Sequence, residues 1–406
     1  MQGFFLGAGA SFELGMPLVV ELTEILKRDH APELLRKMRG RHQSDSSHNW
    51  SDKATETLID LLSDKDLHYE AIIGAMEVEA QRMGATQESF DNIRRHLVDM
   101  VSRYLIDQHV HNFKLTISGM SYVSALKRYI ENNKPLNIFT LNHDVMIEEA
   151  CTILSQPLKA GHFNNEDYYS NAFEDASFEF KFETLTEAQM KQGELDFHHP
   201  GENGVNLYKL HGALDTFLFN SCKDFIRFVP KSLEPGSHIR LLQQLQNENH
   251  RIEMEDGIRT IEMMTLKDSS GTEQFFDRSL VTGAFKFQAH NREKRSLTIM
   301  FDKFKSDIHC IQELICVGYS FGDLHVNEVI MKWLCSSESN TLIIVDPFLD
   351  RVPPFMLHLK SQIKLQRKTF FSFLCGDSLS TEAEKLKLHM HQQFREFKRL
   401  QNLGKT

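Results

Sequence analysis

Short apolar runs that break abruptly into glycine or small polar residues recur along this chain, and a long stretch of helical periodicity separates the first from the rest. The first run, Phe4 to Leu6, ends in Gly7-Ala8-Gly9-Ala10-Ser11. A strand that stops in so small-sided a turn keeps its backbone open to close approach. Pro17 then suits a first helical position, where its missing N–H costs nothing. From about residue 20 to 133 the pattern is almost wholly helical, clearest in "TETLIDLLSDKDLHYEAIIGAMEVEAQRM" and "FDNIRRHLVDMVSRYLIDQHVHNF". The polar stretch "GRHQSDSSHNWSD" interrupts it as a loop.

The period then changes. "PLNIFTLNHD" reads as a buried strand followed by a helix from about Val145, and "VNLYKLHG", "LICVGYSFGD" and "NTLIIVDP" read as further strands, each polar or glycine-rich at its carboxyl end. Strands of this kind alternating with helices predict an α/β fold with a Rossmann-like parallel sheet, whose ligands bind outside the carboxyl ends of the strands. The expected organisation is one α/β unit over 1–380, carrying a helical insertion at approximately 20–133, and a basic amphipathic helix over 381–406. The segments 160–205 and 222–295 show no clear period.

Composition narrows the function. With 406 residues, 41% hydrophobic and 25% charged, the chain is an ordinary globular protein able to bury a large core. A formal charge of −10 speaks against broad nucleic-acid binding. No apolar run reaches the roughly eighteen residues of a membrane span and no signal-peptide pattern is visible, so the expected location is cytoplasmic, without membrane contact. Six scattered cysteines without a CxxC pair support neither a disulfide framework nor a zinc ribbon. The pairs His109 and His111, His198 and His199, and His389 and His391 do not share a helix face, which predicts surface histidines and no metal site.

Five strand ends carry the candidate chemistry. Gly7, Ala8, Gly9 and Ser11 form a phosphate-sized turn that departs from the GxGxxG dinucleotide fingerprint. Asn142 and Asp144 follow the second strand, where either also suits a helix cap. His211 precedes Gly212; Gly318, Ser320 and Asp323 share one loop; Asp346 closes "LIIVDP". Glycines beside hydroxyl and carboxylate groups suit a sugar or a phosphate, and equally an ordinary turn.

The ordered set GAGAS, TLNHD, LHG, GYSFGD and a strand ending in VDP resembles the sirtuin family and its bacterial sirtuin-like defence branch. The resemblance implies an NAD-binding core, with Gly7, Ala8, Gly9 and Ser11 at the pyrophosphate, Gly318, Ser320 and Asp346 near the adenosine, Asp323 as a further NAD-binding residue, Asn142 and Asp144 around the nicotinamide ribose, and His211 as general base. Protein-deacylating sirtuins carry a zinc module of two cysteine pairs and an Asp-Phe-Arg segment after the glycine loop. Here the cysteine spacing is missing and Pro17, Leu18, Val19 and Val20 stand in that place. The implied activity is therefore cleavage of NAD+ by water, as in antiphage NAD hydrolases, with NAD+ as substrate and no zinc. Expected partners are further copies of the chain and a HerA-family ATPase. Protein deacylation, ADP-ribosyl transfer and non-enzymatic NAD or ADP-ribose sensing are the alternatives.

In chemical terms, nicotinamide leaves NAD+ as a neutral group, so the positive charge growing on the ribose needs stabilising more than the leaving group needs a proton. A carboxylate such as Asp144 meets that need, an imidazole such as His211 titrates in the range for general base catalysis, and Asn142 offers both a donor and an acceptor.

Overall fold

The computed structural model describes residues 1–42, 50–82, 84, 86–164, 173, 180–258, 260–280, 282, 292–376 and 381–405. Its centre is a seven-stranded sheet in which every neighbouring pair runs parallel. The strands are β1 (Gln2–Leu6), β2 (Leu136–Thr140), β3 (Leu158–Lys159), β5 (Val205–Lys209), β10 (Glu313–Val317), β11 (Thr341–Val345) and β12 (Ile363–Gln366), in the spatial order β12-β11-β10-β1-β2-β5-β3. The chain starts at the centre, builds outward through β2, and later returns to the other side of β1. That reversal between β1 and β10 is the switch point at which such sheets open a crevice.

The central strands are continuous apolar runs because both of their faces are covered. Phe4, Leu6, Ile138 and Leu207 point into a core shared with the helices between β1 and β2. Phe5, Phe139, Tyr208, Cys316 and Ile344 point the other way, against Phe301 and Phe304 of the helix Arg292–Asp307 and Ile330 and Trp333 of the helix Leu324–Ser336. Between β1 and β2 the described chain is helical from Val19 to Asn132, including the long helix Gln87–His111. No helix among the described residues is long and apolar enough to cross a membrane.

A second sheet fills part of the stretches that have no clear sequence period. It is five-stranded and antiparallel, in the order β4-β7-β6-β9-β8, with β4 at Phe180–Leu185, β6 at Thr216–Phe219, β7 at Asp224–Pro230, β8 at Met263–Lys267 and β9 at Glu273–Arg278. One face packs Phe182, Phe228 and Phe276 against Leu241 and Leu245 of the helix Ser237–Glu255.

The C-terminal helix Glu382–Asn402 turns Leu388, His391 and Arg395 inward. Arg395 donates to the carbonyls of Phe12 at 2.6 Å and Met16 at 2.9 Å and lies over the Phe12 ring, while His391 Nε2 sits 2.8 Å from the Glu13 carbonyl. This helix thus clamps the segment that leaves the glycine turn. Its opposite face exposes Leu386, Met390, Phe394 and Phe397. Two histidines expected at the surface are buried instead, His391 by this clamp and His109 on the inner face of its helix. His111, His199 and His389 are exposed, as expected.

Candidate active site

Five of the parallel strands, β11, β10, β1, β2 and β5, are consecutive neighbours, so the five motifs leave along one edge of the sheet. At the switch point the two glycine turns pack backbone to backbone. A Cβ on Gly7 would stand 2.6 Å from the Gly318 carbonyl oxygen, and one on Gly9 would stand 2.7 Å from the Gly318 Cα. Gly318 itself has φ +59° and would drive a Cβ to 2.4 Å from the Gly9 Cα. The Gly7 and Gly9 amides donate to Val317 and Gly318 carbonyls at 2.9 and 3.0 Å. These glycines are demanded by the approach of one turn to the other, and two of the loop's amides are spent on it. Ser11 is buried beneath the turn.

Asn142 ties the second motif to the first. Its side-chain amide donates to the Gly7 carbonyl at 2.9 Å and to Ser11 Oγ at 3.1 Å, leaving Oδ1 as the end that meets no protein donor among the described residues. Asp144 is buried, and its Oδ1 accepts the Met146 amide at 3.1 Å, which starts the helix Met146–Ile153. Its capping role and its place beside Asn142 coexist.

His211, only 3% exposed, meets Asp323 across the edge, with Nε2 3.3 Å from Asp323 Oδ2. Asp323 also caps the helix Leu324–Ser336 by accepting the Val326 amide at 3.4 Å. Asp323, expected among the NAD-binding residues, thus also stands beside the histidine. Tyr319 braces the Asp323 loop, its one hydroxyl proton shared between Asn327 Oδ1 and the Asp323 carbonyl, each 3.0 Å away, and burial pushes its hydroxyl pKa up. Ser320 is exposed beside them. Among the described residues no contact brings Asp346 to this group, and its Oδ1 is taken up by the amides of Phe348 and Leu349 at 2.8 and 3.2 Å, an ordinary Asx turn.

Beneath the Asp144 loop lies a buried charge network that the motifs did not reveal. Lys209, the last residue of β5, donates to the Asp144 carbonyl and stands 3.3 Å from Glu148 Oε1. Arg227 of β7 is 2.9 Å from Asp215, 3.1 Å from Glu183 and 3.6 Å from Glu148. Burial raises the Glu148 pKa, while in Asp215 the same raising effect of burial is outweighed by Arg227 and Lys209, so its pKa falls. His162 and His238, in the same field, are lowered to about 4 and about 3, chiefly by burial and then by Arg227. His109 is lowered to about 4 by burial, and its Nε2 accepts the Val145 amide at 3.4 Å. The one available sequence signal was an arginine inside the apolar run "DFIRFVP".

Among the described residues no group of three or more His, Cys, Asp or Glu side chains is gathered as a metal site. No protein-family model matches the chain, and no curated protein matches it.

Proposed function

We propose that the protein is a sirtuin-like NAD+ glycohydrolase that releases nicotinamide and ADP-ribose, depleting NAD+ in bacterial antiphage defence. The observation that carries this reading is the pairing of His211 with Asp323 over the sheet edge where Asn142 is anchored to the glycine turn. A carboxylate 3.3 Å from an imidazole nitrogen stabilises the charge the ring gains when it acts as a base, the role that simple nucleotide binding does not require. Asn142 presents Oδ1 for a ribose hydroxyl or the attacking water, and Asp144 stabilises the charge that grows on the ribose. Asp323 is a positioning residue in this scheme. Ser320 remains the loop's exposed hydroxyl for the adenosine side.

The exposed apolar face of the C-terminal helix is the surface assigned to further copies of the chain or to an ATPase of the HerA family. The clamp on Phe12 to Met16 gives such an interface a direct route to the glycine turn. The non-enzymatic sensor reading draws on one observation, the near-complete burial of His211.

Product chromatography after incubation with NAD+ tests the assignment, comparing wild type with His211→Ala and Asn142→Ala. Loss of about 10²- to 10⁴-fold in the histidine variant is expected for removal of a general base. Full activity in both folded variants would refute the site. Radiolabel moving from NAD+ onto protein would favour ADP-ribosyl transfer, and tight binding without turnover would favour the sensor.

A further inference from the structure

A cavity of about 220 Å³ lies away from the glycine turns, between the long helix Gln87–His111, the helix Ser237–Glu255 and the antiparallel sheet. Its inner walls are apolar, formed by Leu214, Phe217, Leu242, Leu245 and Met264. Two arginines, Arg103 and Arg278, also line it. Both are held by one buried carboxylate: Arg278 Nε is 3.1 Å from Asp99 Oδ1 and Arg103 Nε is 2.8 Å from Asp99 Oδ2. Arg278 is the deeper of the two, its side chain only 6% exposed against 33% for Arg103.

Two guanidinium groups thus share one carboxylate at this wall. An uncompensated buried charge is costly, and a guanidinium uses the nitrogens beyond Nε to take a carboxylate or phosphate in a fork. Among the described residues the terminal nitrogens of Arg278 meet no protein acceptor. The carboxylates of Asp107 and Glu253 also line the cavity, Asp107 Oδ1 accepting from Gln246 at 3.1 Å, so an acid group is directed to the arginine wall and away from them. A cavity of roughly 150 Å³ is enough for benzene.

We infer that this cavity is a binding site for a small organic anion, with its acid group on Arg278 and Arg103 and its apolar body against Phe217, Leu242 and Met264. It goes beyond the NAD reading and stands without it. The site adjoins the loop that carries Asn142 and Asp144, since the Leu214 amide donates to the carbonyl of His143 between them at 3.0 Å.

The test is saturation-transfer NMR and calorimetric titration with phenyl phosphate and benzoate, with inorganic phosphate and phenol as probes of the separate halves. Arg103, Arg278 and Gln246 line this cavity and are not among the residues assigned to the sheet edge, so loss of binding in their variants separates this site from anion binding there. Saturable one-to-one binding of phenyl phosphate or benzoate is expected, tighter than either half. It should weaken about tenfold or more in Arg278→Gln and in Arg103→Gln, as expected for loss of a charge-assisted contact. Gln246→Trp, a substitution at the mouth that leaves the core intact, should reduce it as well and keeps the test valid if Arg278→Gln does not fold. Absence of saturable binding, or binding undiminished in both Arg103→Gln and Gln246→Trp, would overturn the proposal.

Discussion

Acidification should unfold this protein through three buried imidazoles. His109, His162 and His238 have pKa values lowered to about 4, about 4 and about 3 in the fold, against an ordinary value near 6.5. Because the folded values lie below the unfolded one, each histidine's contribution is present above pH 6.5 and is lost as pH falls toward the folded pKa. Between pH 7 and pH 5 linkage gives a loss of about 2 kcal/mol per histidine, roughly 5–6 kcal/mol together. That is comparable with the whole stability of many domains, about 5–15 kcal/mol. Glu148 and Glu149 work in the opposite direction, since burial raises both pKa values and favours their protonated forms in the fold. A net loss smaller than that sum is therefore expected. Urea unfolding at the two pH values measures it, and His238→Gln should recover about 2 kcal/mol of the difference. A difference below about 1 kcal/mol between pH 7 and pH 5 would refute the reasoning.

Other expectations follow from the same contacts. Arg227→Met leaves Asp215, Glu183 and Glu148 without their shared cation and should cost about 3–5 kcal/mol by chemical denaturation, with part regained when Asp215→Leu is added. Gly318→Ala places a Cβ against Gly9 at φ +59° and should cost about 2 kcal/mol or more, visible as a lowered melting temperature. Asp323→Asn keeps a good helix cap and should leave stability within about 0.5 kcal/mol, while NAD+ cleavage falls roughly tenfold or more because the imidazole loses its carboxylate. A drop in stability without a drop in turnover would assign Asp323 to the cap alone.

The parallel sheet was legible because its strands are buried on both faces, so Phe4 to Leu6 and "LIIV" stand out as short apolar runs ending in glycine or Asx residues. Their shared edge follows from topology, which places those five strands side by side. The antiparallel sheet was not legible, because β4 pairs with β7 from Phe180↔Pro230 to Leu185↔Phe225 and β6 is only four residues long. The reason for the glycines was hidden too: Gly9 meets Gly318, a contact between the two ends of the sheet's winding. For the same reason His211 and Asp323 could each be picked out at a strand end, while their pairing could not. Lys209 lay inside a quoted motif, yet its tie to Asp144 and its nearness to Glu148 exist only once β2 and β5 are neighbours.

The central claim is hydrolysis of NAD+ at the edge shared by His211, Asp323 and Asn142. The direct measurement is the molar ratio of nicotinamide to ADP-ribose formed from NAD+ by purified wild-type protein, alone and with an added HerA-family ATPase. Equal amounts of the two products, lost in His211→Ala, are what this account predicts. Intact NAD+ in every condition, or nicotinamide in clear excess over free ADP-ribose, would contradict it.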